Sequence, residues 1–172
     1  MRPRSLRRRR SAIEVRRAAI EDVDAVVALA AALWPDGSRR GHRVHMKALL
    51  AGKPHSTLPL VVFVAERAGA VVGFVEVGLR SHADGCDGRR AVGFLEGWFV
   101  VEGERRRGVG RRLLRAAERW AEGQGCAEMA SDTWADDVQS RRVHEALGFE
   151  VVDRCVNFRK ALGGRRPSRK RI

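Results

Sequence analysis

Arg105, Arg106 and Arg107 stand side by side, and Gly108-Val109-Gly110 follows them. The run from 108 to 123 then carries its apolar residues at helical spacing. A strand feeding an arginine-glycine turn and a helix has the makings of an anion site. The first N–H groups of a helix lack intrahelical partners and carry partial positive charge. Glycines leave the backbone open to close approach. Nine residues before Arg105, Glu96 interrupts the apolar run 91–101, "AVGFLEGWFVV". An acid there either pairs with a neighbouring arginine or does chemistry, as a base or a ligand for a cation. One short segment thus offers a holder for an anion and a carboxylate beside it.

The turn is not a dinucleotide-binding fingerprint, which needs GxGxxG near a first strand. It is not a Walker loop either, because no Gly-Lys-Ser/Thr follows. Cys86, Cys126 and Cys155 are few, odd in number and unclustered, so neither a zinc site nor a disulfide framework is expected. No metal ligand set is assigned. His42, His45 and His55 carry no evident chemistry and read as surface groups.

The chain of 172 residues has a net charge of +13 and no tyrosine. Residues 1–10 hold six arginines and no acid; residues 163–172 hold five basic residues and no acid. Without these eleven, 23 basic residues face 21 acidic ones. The basicity belongs to two tails, 1–11 and 163–172, that read as disordered extensions, with nucleic acid an incidental partner. The body, 12–162, reads as a single domain. The start has no apolar core of a secretory signal, and no stretch suits a membrane span. A cytoplasmic location is the expectation.

The elements that must position these residues can be read in order. Strands are expected at 12–18, 59–67, 70–80, 91–101, 126–132 and 149–162. Helices are expected at 20–34, 39–52, 108–123 and 136–148. Ala68-Gly69 marks a tight hairpin turn and Gly148 a helix end. Strands in antiparallel succession followed by β-α crossovers argue an α/β fold, a mixed and mostly antiparallel sheet with helices on both faces.

The pattern Arg105-x-x-Gly108-x-Gly110 resembles the pyrophosphate loop of the GNAT acetyltransferases. Downstream, Asp137-x-x-Ser140-x-x-x-His144-x-x-x-Gly148-Phe149 resembles a later motif of that family, with Asp137 in place of Asn and His144 in place of Tyr. Five further stretches, 32–37, 85–100, 105–114, 125–133 and 143–150, resemble one subgroup, the aminoglycoside 6'-N-acetyltransferases. The likeness runs from about residue 13 to 161, and that subgroup also carries His at the position of His144.

The resemblance implies acetyl-CoA as co-substrate, on a turn built from Arg105, Arg106, Arg107, Gly108, Val109, Gly110 and Arg111. It implies that Trp98, Phe99 and Val100 align pantetheine on a strand that splays from its neighbour, and that Asp137 supports the cofactor side. It places Trp34, Glu96, Asp132 and Asp153 at the antibiotic, with Gly37 and His82 where relatives carry His and Tyr. Each has a plainer alternative: Glu96 paired to an arginine, Asp132 capping a turn, Asp153 a surface acid, Trp34 a core residue. Glu96 is the expected base, through water, and an N–H near Val100 the donor to the acetyl carbonyl. His144 is the candidate for protonating the departing thiolate, with packing or a carbonyl bond as its alternative. A homodimer is implied by the same relatives. A GNAT acting on a protein amine or small polyamine, and a non-catalytic nucleic-acid binder acting through the tails, are the competing readings.

Overall fold

The computed structural model describes residues 11–160, and the basic ends lie outside them. Five strands form one sheet in the order β1 (Glu14–Arg17), β2 (Leu60–Arg67), β3 (Ala70–Arg80), β4 (Val92–Val100) and β5 (Met129–Ser131). The first four run antiparallel, and β5 joins β4 in parallel. The hairpin between β2 and β3 turns on Ala68 and Gly69, with φ of 52° and 79°. Two left-handed residues give the twist that a two-residue hairpin needs.

Side-chain alternation divides the core into two layers. On one face α1 (Val23–Leu33) and α2 (Arg39–Leu50) press Val26, Val27, Ala30 and Met46 onto Val62, Val64 and Phe74. On the other face α3 (Val109–Gly123) presents Val109, Leu113, Leu114 and Ala117, at helical spacing, to Ala65, Val75, Val77 and Leu95. A short α4 (Val138–Glu145) follows β5, and the turn after it runs through Gly148, whose φ is 96°. The mixed sheet with helices on both faces is therefore the one its element order implies.

Three strand expectations need correction. β1 is only four residues long. β5 begins at Met129 and not at 126, because Cys126 N–H donates to Ala121 O and belongs to the close of α3. The strand expected at 149–162 is absent from 149–160, the part of it within the described residues. "FEVVDRCVNF" has strand-forming residues, but propensity makes no strand without a ladder partner. Val156 and Phe158 there are 76% and 93% exposed.

The entry to α1 rests on one buried carboxylate. Asp22 accepts two bonds from Arg16, at 2.7 and 2.9 Å, and a third from the Ala19 N–H at 2.8 Å. Arg16 also reaches Glu66 at 2.9 Å, so β1, β2 and the first turn of α1 meet at one guanidinium. The Arg16 bonds hold the Asp22 carboxyl below its ordinary value of 3.8, against the opposing effect of burial. That stabilisation is fully present above about pH 3.8 and fades as the pH falls through the lowered value. Asp22→Asn is expected to cost about 2–3 kcal/mol of unfolding free energy near pH 7 in urea melts. The gap to the unaltered chain should close in strong acid.

Candidate active site

The site grows from an irregularity between β3 and β4. Glu76 pairs with Gly97, while the next residue, Val77, pairs with Leu95. Glu96 is therefore the extra residue of a bulge, which bends a strand and re-aims a side chain. Its carboxylate lies on the α1/α2 face, beside the gap left by the missing side chain of Gly78. Arg80 grips it with two bonds, at 3.0 and 2.7 Å, and lays its guanidinium on the Phe94 ring, 3.2 Å from the ring centre. Pairing with an arginine was the plain alternative for Glu96, and it is what the free protein shows.

Just past the bulge, β4 and β5 part. Their pairing covers only Gly93, Phe94 and Leu95 against Met129, Ala130 and Ser131, yet β4 runs on to Val100. Val101 N–H donates to Val72 O on the β3 side. By alternation, the N–H groups of Val100 and Trp98 face the open side. The expected splay is present. Asp132, exposed, follows Ser131 directly and comes level with Glu96 across the parting.

One wall of the opening is the arginine turn. Arg105 donates to Val100 O at 2.8 Å and lies over the Phe99 ring. Arg106 and Gly108 take left-handed φ of 57° and 78°, folding the chain tightly into α3. The first helical bond ends on Arg112 N–H, which leaves those of Val109, Gly110 and Arg111 without a helical partner. Glu104 ties the turn down: it lies 3.2 Å from Arg67 of β2 and 3.9 Å from Arg107. Arg111 faces a surface cavity of about 280 Å³ between α3 and the end of α4. Free N–H groups, left-handed backbone and arginines fit a pyrophosphate.

Gly110 has a second reason to be glycine. A Cβ there would come 2.7 Å from the Trp98 ring. That indole stands edge-on to His144, which stands edge-on to Phe149, so a stack of rings bridges β4 and α4. His144 Nδ1 lies 2.8 Å from Ser140 O, and Nε2 lies 3.1 Å from Ser131 Oγ. A proton on Nδ1 donates to the carbonyl, so Nε2 accepts from the hydroxyl. His144 is thus both a packing residue and a neighbour of the parting. Asp137 caps α4 by accepting from Ser140 N–H at 2.8 Å.

The opposite wall is aromatic. Trp34 ends α1, stacks on His42 with centroids 5.8 Å apart and covers Gly97, where any Cβ would strike the indole. Gly37 leaves room that the His42 ring fills. His42 is therefore part of this wall and not a plain surface group. His45 needs the same correction: its Nε2 lies 2.7 Å from Oε1 of Glu76, which is 3% exposed. His55 is exposed. His82 and Asp153 lie farther out. His82 is exposed and 3.4 Å from Asp84; Asp153 is exposed and accepts from its neighbour's N–H. Val152, beside Asp153, packs against Gly85 in the loop that holds His82. Glu76, Arg80, His42 and His45 escaped the sequence reading. An acid inside the apolar run 70–80 is the same signal that marked Glu96, and could have found Glu76.

A family model described as the acetyltransferase (GNAT) family matches residues 19–149. The chain belongs to the GNAT acetyltransferase family. An aminoglycoside N(6')-acetyltransferase type 1 of Serratia marcescens is 44% identical over 145 residues, covering 83% of this chain and 95% of the relative. Aminoglycoside N-acetyltransferase AAC(6')-Iy, solved with CoA, superposes with a TM-score of 0.81 at 35% identity, covering 90% of this chain and 99% of that one. The same enzyme with the bisubstrate analogue CoA-S-monomethyl-acetylneamine gives 0.79 at 34% identity, covering 88% and 99%. Among the described residues, no group of His, Cys, Asp and Glu is arranged to hold a metal, and no helix is long and apolar enough to cross a membrane.

The GNAT scaffold here depends on close approach at Gly97. Gly97→Ala should push Trp34 off the sheet and cost about 1–3 kcal/mol. Tryptophan near-ultraviolet circular dichroism and urea melts would register both effects. An unchanged spectrum would mean that Trp34 does not need the gap.

Proposed function

We propose that this chain transfers the acetyl group of acetyl-CoA to the 6'-amino group of aminoglycoside antibiotics, by direct transfer in a ternary complex, and so confers resistance. The observation that carries this reading is the parting of β4 and β5. An anion-binding turn stands at one end of it; Glu96 and the Trp34 wall line it from β4, and Asp132 faces them from the end of β5. The named relatives support the same substrate pair. Acetyl-CoA supplies an activated thioester; Arg105, Arg106, Arg107 and the N–H groups of Val109, Gly110 and Arg111 would hold its pyrophosphate. Trp98, Phe99 and Val100 would align pantetheine along the open edge, with Asp137 holding α4 in place beside it.

The acceptor is a polycation, so a carboxylate floor and an aromatic wall suit it. Trp34, with His42 in the room left by Gly37, would face the sugar rings. Glu96 and Asp132 would take ammonium groups, and His82 and Asp153 would lie at the outer end. The 6'-ammonium must lose a proton before it can attack. Glu96 takes that proton, through water, once Arg80 yields its place to the incoming cation. The Val100 N–H faces the acetyl carbonyl and stabilises charge that develops on its oxygen. His144 sits on the thiolate side; a proton taken up from water on its Nε2, the nitrogen not held by Ser140 O, would pass through the Ser131 hydroxyl to the leaving thiolate.

We place the reaction in the cytoplasm, where acetyl-CoA is made and where three unpaired cysteines persist. The body 12–162 acts as one catalytic domain, and the tails are accessory to it. The assembly we infer is a homodimer in which a second copy covers Val156 and Phe158. Sedimentation should give twice the chain mass, and Phe158→Asp should shift it toward one copy. A monomer in the unaltered chain would refute the pairing.

Glu96→Gln tests the acceptor side. Turnover of kanamycin, followed by release of CoA thiol, should fall by about a hundredfold or more, with acetyl-CoA affinity held within about twofold. Unchanged turnover would remove Glu96 from the role of base. Turnover of spermidine or a lysine peptide, with none of kanamycin, would transfer the site to another amine.

A further inference from the structure

Glu76 is a costly residue to keep. It lies in the middle of β3, 3% exposed, between buried Val75 and Val77. One carboxylate oxygen meets His45; the other, Oε2, is buried and finds no hydrogen-bond partner. A half-satisfied buried acid is destabilising and calls for a reason outside folding. Its position supplies one. Glu76 stands opposite the bulge, level with Gly97, and points to the same sheet face as Gly78 and Glu96. Two carboxylates thus sit on the floor of the acceptor side, and each holds a cation of the protein's own: His45 on Glu76, Arg80 on Glu96.

These two cations differ. Arg80 is permanently charged, whereas His45 titrates. The His45 side chain is 39% exposed, so solvent reaches it while it is bound to Glu76. The Glu76 bond raises its pKa above 6.5, burial opposes this, and the Glu96 carboxylate adds to the rise. His45 and Glu96 therefore feel each other's charge. The other charged or titratable groups near this place are Arg80 on β3 and His42 one turn earlier on α2; Asp24 of α1 is engaged by Arg43.

We propose that His45, held by Glu76, is a specificity-determining residue of the acceptor cleft: a resident cation that competes with an acceptor ammonium for the field of Glu76 and Glu96. Protonated, it repels a second ammonium and disfavours the polycation. Neutral, it leaves Glu76 uncompensated and the cleft attracts one. Acceptor affinity therefore rises as the pH climbs through the His45 titration. The residue acts on binding and not on the acetyl transfer itself. This inference rests on the acceptor being a polyamine such as an aminoglycoside.

Two variants bracket the unaltered chain: His45→Gln is neutral at every pH, and His45→Lys stays charged. KM and kcat for kanamycin and KM for acetyl-CoA would be measured from pH 6 to 8.5. The drug's own amines titrate alike in all three, so ratios between variants isolate His45. At pH 6.5 the His45→Lys KM for kanamycin should exceed the His45→Gln value by about three- to tenfold. The unaltered chain should move from the lysine-like to the glutamine-like value as pH rises. Values of kcat and the acetyl-CoA KM should agree within about twofold. Glu76→Gln, if it folds, should shift the transition to lower pH, because it removes the group that raises the histidine pKa. Superimposable kanamycin KM profiles, or an effect on kcat alone, would overturn the proposal. If the unaltered chain does not turn over kanamycin, the acceptor reading itself fails, and this inference with it.

Discussion

Beyond Leu95, β4 continues for five residues while β5 stops. A strand with no partner on one side exposes N–H and C=O groups that must bond elsewhere. The bulge at Glu96 sits where the pairing ends, and it bends β4 as it departs. The proposed site is arranged around this parting. The turn into α3 closes one side, Asp132 stands at the end of β5, and Trp34 covers the strand at Gly97. If β4 and β5 paired along their full length, the N–H groups of Val100 and Trp98 would serve a ladder and nothing else.

The two faces of the sheet divide the labour. The α3 face carries the side proposed for the anion: Trp98 on Gly110, then His144 and Phe149. The α1/α2 face carries the side proposed for the cation: Trp34, His42, Glu76 and Glu96. Reactive groups on opposite faces can meet only where the sheet is open. The gap between β4 and β5 is that place.

Much of this was legible in the sequence. Period-two and helical patterns located β2, β3, β4, α2 and α3 to within a few residues, because a buried face forces periodicity on the chain. Arg105-x-x-Gly108-x-Gly110 was legible because a helix start has a local signature. Glu96 was conspicuous as an acid in an apolar strand, and the structure shows it in the plainer of its two readings, paired to an arginine. Failures occurred where local pattern does not decide. Residues 149–160 look like a strand but have no ladder, since pairing is a property of two segments. His42 and His45 look like surface histidines on α2, because their partners, Trp34 and Glu76, are brought to them only by the packing of α2 on the sheet. Arg80 looked like the end of a strand; its grip on Glu96 depends on a register that no local window contains.

The Arg80–Glu96 pair has a consequence for how such a cleft handles salt. An acidic pocket open to solvent collects small counterions, and a polycation that binds must expel them, so its affinity drops steeply as ionic strength rises. Here the counterion is a tethered side chain lying on Phe94. On the proposed reading, an incoming ammonium would displace a guanidinium that cannot diffuse away, and few free ions would be released. Occupation of the cleft would then be an exchange inside the molecule, answering more to the geometry of the displaced arginine than to the composition of the surrounding medium.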